Sequence, residues 1–150
     1  YITGHSLGGA LAILAAKKFH SDSVAACYTF GSPKVGAAEF GQGIKVPIYR
    51  VVNGHDIVPF CPPTLLWDLL DLIPWAKLRK ITDKQRGYEH YGDMRFLTPC
   101  KNDCSDLQLL TNYDRWRRMK IFWRKKKAGI TDHSIDAYHK KLEFWAEDRL

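Results

Sequence analysis

Residues 1–10 read YITGHSLGGA, an apolar run that leads into a Gly-x-Ser-x-Gly pentapeptide. In this pattern a serine stands on a sharp turn between a strand and a helix, with small residues two places before and after it. Gly4 and Gly8 occupy those places around Ser6, and apolar residues follow at helical spacing at positions 7, 10, 11, 14 and 15. The stretch therefore predicts a nucleophile elbow, with Ser6 as the candidate nucleophile.

A helix that starts directly after this serine would present its first backbone N–H groups near the serine oxygen. These groups have no partner inside the helix, and the helix dipole favours negative charge beside them. We therefore predict that the Leu7 N–H belongs to an oxyanion hole, where a carbonyl oxygen gains negative charge during attack. Taken alone, the pentapeptide is explained equally well by a glycine-rich turn.

The composition is that of a globular protein and excludes a disordered polyelectrolyte. The 150 residues are 45% hydrophobic and 13% aromatic, with a net charge of +7. The length suits one domain. Tyr1 nevertheless begins within what should be a central strand, and a parallel sheet needs paired neighbours. We therefore expect strands that precede the elbow to lie outside this sequence.

Four cysteines are too few to build a disulfide scaffold. Cys27 lies in an apolar run where a buried free thiol is common, so we expect reduced thiols. This expectation favours a cytoplasmic or peripheral-membrane location, with secretion left open. Cys100 and Cys104 could instead close a small disulfide loop or form half of a metal site. No second cysteine pair completes the usual zinc spacing, so we expect no metal.

Strands and helices alternate after the elbow. We predict a helix over residues 7–19, a buried strand over 24–30, a short helix near 37–40, a second strand over 46–52 and a short strand over 94–97. Strand–helix–strand units of this kind form parallel sheets with right-handed connections. The prediction is an α/β fold with a parallel sheet flanked by helices.

Asp56 and His133 are the candidate partners of Ser6. Asp56 follows the second strand, and ligands bind at the carboxyl-end edge of such sheets, where Ser6 also lies. His133 directly precedes an amphipathic helix that Asp132 or Ser134 could cap. The order serine, acid, histidine along the chain is that of α/β-hydrolases. His133 would then accept the Ser6 proton during attack on an ester, with Asp56 orienting the imidazole and no cofactor required.

Two further features compete for a role near this site. His90 is a rival for the base, but its place between aromatic residues and ahead of a strand favours a structural role. The apolar stretch Leu65–Trp75 is too short to span a bilayer. It is interpreted as a core helix or a cap over the site, in preference to a lipid contact.

Residues 113–127 alternate aromatic and basic side chains. On a helical wheel the apolar side chains share one side, which suits an anionic membrane surface, where each basic residue contributes about 1 kcal/mol. A solvated helix whose tryptophans pack on the protein explains the pattern equally well. Nucleic acid is less favoured, because no recognised binding fold accompanies the patch. The candidate lipid contacts are Trp116, Arg117, Arg118, Trp123, Lys125 and Lys126.

Four motifs, in order, resemble the class 3 (fungal-type) lipase family. They read GHSLGGALA at 4–12, TFGSPKVG at 29–36, NGHDIVP at 53–59 and DHS at 132–134. The resemblance implies an α/β-hydrolase fold, and it implies that Ser6, Asp56 and His133 are nucleophile, acid and base. It also implies acylglycerols and related lipid esters as substrates, without a metal or cofactor.

The resemblance sets the expected domain organisation. Residues 1–150 would form the carboxyl-terminal portion of one α/β-hydrolase domain, with an insertion at about 64–127 that departs from the family pattern. The family's lid and second oxyanion donor precede the elbow, so neither is assigned. Two alternatives to an acylglycerol lipase stay open: a phospholipase-type esterase, and a catalytically incomplete module that binds membranes or partners. No oligomeric state is predicted.

Overall fold

The computed structural model describes residues 1–19, 23–62, 87–100, 104–111, 113 and 128–147. The apolar stretch Leu65–Trp75 and the six candidate lipid contacts in residues 116–126 lie outside the described residues. Most of the expected insertion at about 64–127 lies outside them as well. Among the described residues, no helix is both long enough and apolar enough to cross a membrane.

The described residues form one five-stranded sheet whose strands follow each other in chain order. The first four strands pair in parallel, and the fifth pairs antiparallel with the fourth. The parallel sheet is as predicted, whereas the antiparallel edge strand was not foreseen. The strands are β1 (Ile2–His5), β2 (Cys27–Phe30), β3 (Ile48–Asn53), β4 (Asp93–Leu97) and β5 (Leu109–Thr111).

The helices of the described residues flank this sheet. Their bounds are Leu7–Lys18 for α1, Ala38–Gly41 for α2, Ala128–Thr131 for α3 and Ile135–Glu147 for α4, with a short 3₁₀ helix at Val58–Phe60. The predicted helix over 7–19 is therefore confirmed to within one residue. The predicted strand over 46–52 starts later, at Ile48, and Pro47 before it has no N–H to donate to a ladder.

The sheet carries a helix on each face, because alternate residues of a strand point to opposite sides. Ile48 packs with Ile13 and neighbouring alanines of α1. Val51, on the opposite face of β3, packs with Tyr138 of α4 and Leu97 of β4. This layered packing buries β3 almost completely, as expected for a parallel strand covered on both faces. It also fixes where the loops at the end of β3 lie.

The cysteines follow the sequence expectation only in part. Cys27 is buried and free, and burial raises the pKa of its thiol. Cys61 is exposed and also free. Cys100 and Cys104 form a disulfide, and their Cα atoms lie 4.9 Å apart, within the range that a disulfide needs. The expectation of reduced thiols is therefore wrong for this pair.

Candidate active site

Ser6 occupies the turn between β1 and α1, where the backbone must reverse within a few residues. Its φ of 55° lies in the left-handed region, which a non-glycine residue adopts at a cost in strain. Two hydrogen bonds hold it there: its N–H donates to the Phe30 carbonyl at 2.9 Å, and its carbonyl accepts from the Gly9 N–H at 3.0 Å. The strand β2 and the first turn of α1 thus present the Ser6 side chain at the carboxyl-end edge of the sheet.

The glycines of the elbow differ in what they do. A side chain at Gly4 would overlap the Gly8 carbonyl, and one at Gly9 would come within 2.8 Å of the Ser32 Cβ. A Cβ at Gly8 meets nothing within 4 Å among the described residues. The pentapeptide pattern expects a small residue at position 8, but no neighbour in the described residues requires one there. Gly4 and Gly9 are the glycines under steric constraint, and the pentapeptide pattern does not include Gly9.

Ser6, His133 and Asp56 form one continuous hydrogen-bonded path. The Ser6 Oγ lies 2.8 Å from His133 Nε2, and His133 Nδ1 lies 3.0 Å from each carboxylate oxygen of Asp56. Because the carboxylate accepts from Nδ1–H, the Nε2 lone pair is left facing the serine hydroxyl. These are the distances at which a histidine can take a proton from a nucleophile.

Asp56 is fully buried, and donors surround its carboxylate. Oδ1 accepts from the Val58 backbone N–H at 2.9 Å, and Oδ2 accepts from the Tyr138 hydroxyl at 2.6 Å. Each oxygen thus has a donor besides His133, which compensates the removal of the carboxylate from water. The acid is rigidly held, and it can orient the imidazole.

Two residues of this hydrogen-bonded path, Ser6 and Asp56, lie in the part of the chain that matches a known family. Residues 1–66 match the family model described as Lipase (class 3). Over these residues the chain matches the class 3 lipase family. The α/β-hydrolase fold predicted from the sequence is confirmed by the mostly parallel sheet and by solved lipase structures.

The relatives of the chain include lipases, phospholipases and a bacterial toxin. Phospholipase A1-Igamma1, chloroplastic, of Arabidopsis thaliana is 33% identical over 62% of the chain and 20% of that protein. Toxin TseL of Vibrio cholerae is 33% identical over 92% of the chain and 25% of the toxin. The lipase of Rhizomucor miehei is 42% identical over 41% of the chain and 20% of that lipase. The chain thus spans about a fifth to a quarter of these relatives.

Part of the chain also resembles solved lipase structures. The Rhizomucor miehei lipase propeptide complex aligns with a TM-score of 0.52 and 27% identity, covering 75% of this chain and 31% of that one. A structure titled as a triacylglycerol lipase whose catalytic centre is a serine protease triad aligns with a TM-score of 0.52 at 27% identity. It covers 75% of this chain and 37% of its own.

Tyr138 belongs to this site, although the sequence pattern indicated only an amphipathic helix at this position. It is fully buried, and its hydroxyl donates to Asp56 while accepting the Asn53 backbone N–H at 2.9 Å. A tyrosine on an otherwise apolar helix face does carry one signal, since a buried hydroxyl needs a polar partner. The sequence does not identify that partner.

Gly31 lies directly behind the acid and the base. Its φ of +58° is in the region that favours glycine, and a Cβ there would lie 2.6 Å from Asp56 Oδ2 and 3.0 Å from His133 Nδ1. Its N–H also donates to the Val51 carbonyl, which holds it between β2 and β3. The absence of a side chain at this position lets the acid and the base approach each other.

The predicted oxyanion donor lies at the start of α1. Leu7 is the first residue of this helix, where a backbone N–H has no partner inside the helix, and its side chain is 68% exposed beside Ser6. The assignment of its N–H to an oxyanion hole stays a prediction.

Two other sequence candidates have different surroundings. His90 Nε2 donates to the Pro59 carbonyl at 2.6 Å, so its ring ties a distant segment to the loop that carries Asp56. This contact agrees with the structural role that we favoured for it. Of the two candidate caps of α4, Asp132 and Ser134, it is Ser134 that caps the helix, because its Oγ accepts the Ala137 N–H at 3.1 Å. Within the described residues, no group of three or more side chains could hold a metal ion.

Proposed function

We propose that this chain carries out serine-dependent hydrolysis of carboxylic esters, with acylglycerol lipids as the substrate class. The observation that carries the proposal is the hydrogen-bonded path from Ser6 through His133 to Asp56, all within 3.0 Å. The comparisons support the same reaction class, because residues 1–66 match the class 3 lipase model and lipases are among the relatives.

The geometry supports a two-step mechanism. His133 Nε2 takes the Ser6 proton while Oγ attacks the ester carbonyl carbon, and the carbonyl oxygen becomes an anion that the Leu7 N–H would stabilise. His133 then gives the proton to the leaving alkoxide, which departs as an alcohol and leaves an acyl group on Ser6. Water deprotonated by His133 then attacks this acyl-enzyme. The bond between the acyl carbon and Oγ breaks, the carboxylic acid is released, and His133 returns the proton to Ser6 Oγ. Asp56 orients the imidazole and stabilises its charged form.

A phospholipase-type esterase is the second candidate. The relatives named phospholipase A1 align with 61–62% of this chain, a longer stretch than the 41% aligned with the Rhizomucor miehei lipase. Both substrates present the same carboxylic ester to Ser6, so the chemistry of the triad is common to them. Analysis of products from diacylglycerol and from phosphatidylcholine separates the two.

The experiment compares Ser6→Ala with wild type in the full-length protein, using p-nitrophenyl esters of several chain lengths. We expect a loss of kcat of at least about 10³-fold, because the nucleophile is gone. Ser105→Ala, at an exposed serine in the turn between β4 and β5, is the matched control and should retain wild-type turnover. Equal turnover by Ser6→Ala and wild type would refute the proposal, and an absence of turnover in both would favour a module that binds membranes without catalysis.

A further inference from the structure

A second Asp–His pair lies beside the one that the mechanism uses. The loop after β3 contains His55-Asp56, and the turn before α4 contains Asp132-His133. These dipeptides pair crosswise: Asp56 with His133, and His55 with Asp132. The His55 ring Nδ1 lies 3.0 Å from Asp132 Oδ2, and the His55 backbone N–H donates to the same oxygen at 2.8 Å.

The reaction steps do not use Asp132. Its Oδ2 bonds to His55 rather than to the neighbouring His133 ring, so Asp132 does not compete with Asp56 as the acid. The cap of α4 is Ser134, so Asp132 does not fill that role either. Its side chain is nevertheless only 20% exposed, and that of His55 only 11%. A charged group removed this far from water needs compensation, and His55 provides it.

The main chain on either side of His133 is held as well. Asn53 Nδ2 donates to the Asp132 carbonyl at 2.9 Å, and His5 Nε2 donates to the His133 carbonyl at 2.7 Å. Both donors come from the carboxyl ends of strands, β3 and β1, which are the rigid parts of the fold. The backbone that carries the imidazole is therefore fixed to the same sheet edge that carries Ser6.

Lys141 orients the Asn53 amide within this arrangement. Its Nζ donates to Asn53 Oδ1 at 2.7 Å and to the Thr98 carbonyl at 3.2 Å, which leaves Asn53 Nδ2 directed at Asp132. Burial lowers the pKa of this amine, while Asp132 and Asp106 oppose the shift. The amine thus links α4 to the ends of β3 and β4.

The fit around the Asp132 carboxylate is close. Gly54 has a φ of +22°, and a Cβ at this position would lie 2.8 Å from Asp132 Oδ2. The carboxylate occupies the space that a side chain at position 54 would need. The turn before α4 therefore rests directly on the backbone of the loop that carries Asp56.

We propose that Asp132 is a positioning residue. Through His55 it holds the turn before α4 against the loop that carries Asp56, and it thereby places His133 between Ser6 and Asp56 before substrate binds. The inference rests on the proposed ester hydrolysis for its kinetic consequence. The physical reason for the kinetic effect is that a reaction slows steeply when the reacting groups are no longer held in the required geometry. Asp132 acts through the backbone and through His55, without touching the reacting atoms.

The kinetic test compares Asp132→Ala with Asp136→Ala in the full-length protein. Asp136 is exposed in the first turn of α4, so its removal makes the same charge change outside the network. We expect Asp132→Ala to lower kcat by about 10- to 100-fold with little change in KM, because the imidazole loses its fixed place. Asp132→Asn should recover part of the loss, since an amide oxygen still accepts from His55. Equal kcat for the two alanine variants would overturn the proposal.

A second pair of variants covers the case in which Asp132→Ala does not fold. His55→Ala removes the other half of the pair, and His139→Ala is its control, because His139 is exposed and faces Glu143 across one helical turn at 3.7 Å. A loss of kcat in His55→Ala beyond that in His139→Ala supports the positioning role. Equal values overturn it.

A nuclear magnetic resonance measurement tests the inference even if no ester is turned over. In protein labelled with ¹⁵N-histidine, the proton between His133 Nδ1 and Asp56 gives a ¹H resonance. This resonance is observed only while the hydrogen bond is shielded from exchange with water. We expect this signal in wild type and in Asp136→Ala, and its loss in Asp132→Ala. A wild type without esterase activity would refute the proposed function alone, whereas a signal retained in folded Asp132→Ala would refute the positioning role.

Discussion

Replacing Tyr138 by phenylalanine tests how strongly the buried acid depends on its neighbours. The change removes one oxygen atom and leaves the ring, which packs against Val51 and Leu97, in place. That oxygen donates to Asp56 Oδ2 at 2.6 Å and accepts the Asn53 backbone N–H at 2.9 Å. The variant therefore removes one charge-assisted hydrogen bond and leaves one buried N–H without its partner.

The expected cost follows from these two bonds. A hydrogen bond to a charged group contributes about 1.5–3 kcal/mol, and a buried donor left unsatisfied costs about 1–3 kcal/mol. Because the two effects share one atom and the site can relax, we expect the free energy of unfolding to fall by about 2–4 kcal/mol. The ring itself contributes nothing to the difference, since phenylalanine keeps the same apolar contacts.

Urea unfolding of the full-length protein, followed by circular dichroism, measures this loss. Tyr28→Phe is the matched control, because Tyr28 is partly exposed on β2 and stacks on Tyr49 through its ring, which phenylalanine retains. We expect the control to change stability by less than about 0.5 kcal/mol. A Tyr138→Phe variant as stable as Tyr28→Phe would refute the view that this hydroxyl holds the acid.

Three further predictions concern the elbow, the acid and the segment outside the described residues. Gly9→Ala should lower the free energy of unfolding by about 1–3 kcal/mol, because its methyl would press on Ser32. Gly8→Ala should cost less than about 1 kcal/mol, so equal losses in urea would contradict the assigned constraint. Gly31→Ala should slow labelling of Ser6 by a fluorophosphonate at least about 10²-fold, because the methyl separates the acid from the base; an unchanged rate would contradict this. Sedimentation with anionic vesicles should show weaker binding when basic residues of the 113–127 segment are made neutral, and unchanged binding would contradict a membrane contact. The residues to change are Arg117, Arg118, Lys125 and Lys126.

Local pattern was enough to predict the elbow and a parallel sheet. The Ser6 pentapeptide, the helix after it and the apolar runs of β2 and β3 are each contained in a few consecutive residues, so periodicity and glycine placement report them directly. Asp56 could be placed as well, because a residue that follows a parallel strand must lie at the carboxyl-end edge. The positions of these residues are thus consequences of short-range rules.

The partners of the acid and the base could not be predicted in the same way. Tyr138 meets Asp56 across 82 residues, and His55 meets Asp132 across 77. Neither contact leaves a trace in local periodicity, because both depend on how α4 docks on the sheet. The Cys100–Cys104 disulfide and the antiparallel β5 were not determined either, because neither a count of cysteines nor local periodicity fixes which cysteines approach each other or in which direction a strand pairs.

The crossed pairing of His55-Asp56 with Asp132-His133 has a consequence for protein engineering. Each dipeptide supplies one half of both pairs, so neither segment can be transplanted into another scaffold by itself without leaving a buried carboxylate or an unanchored imidazole. A graft of this centre would have to move residues 53–58 together with 130–138 and keep their spacing. By the same reasoning, libraries that randomise His55 should include Asp132 in the same pool, because the tolerated substitutions at the two positions are expected to depend on each other.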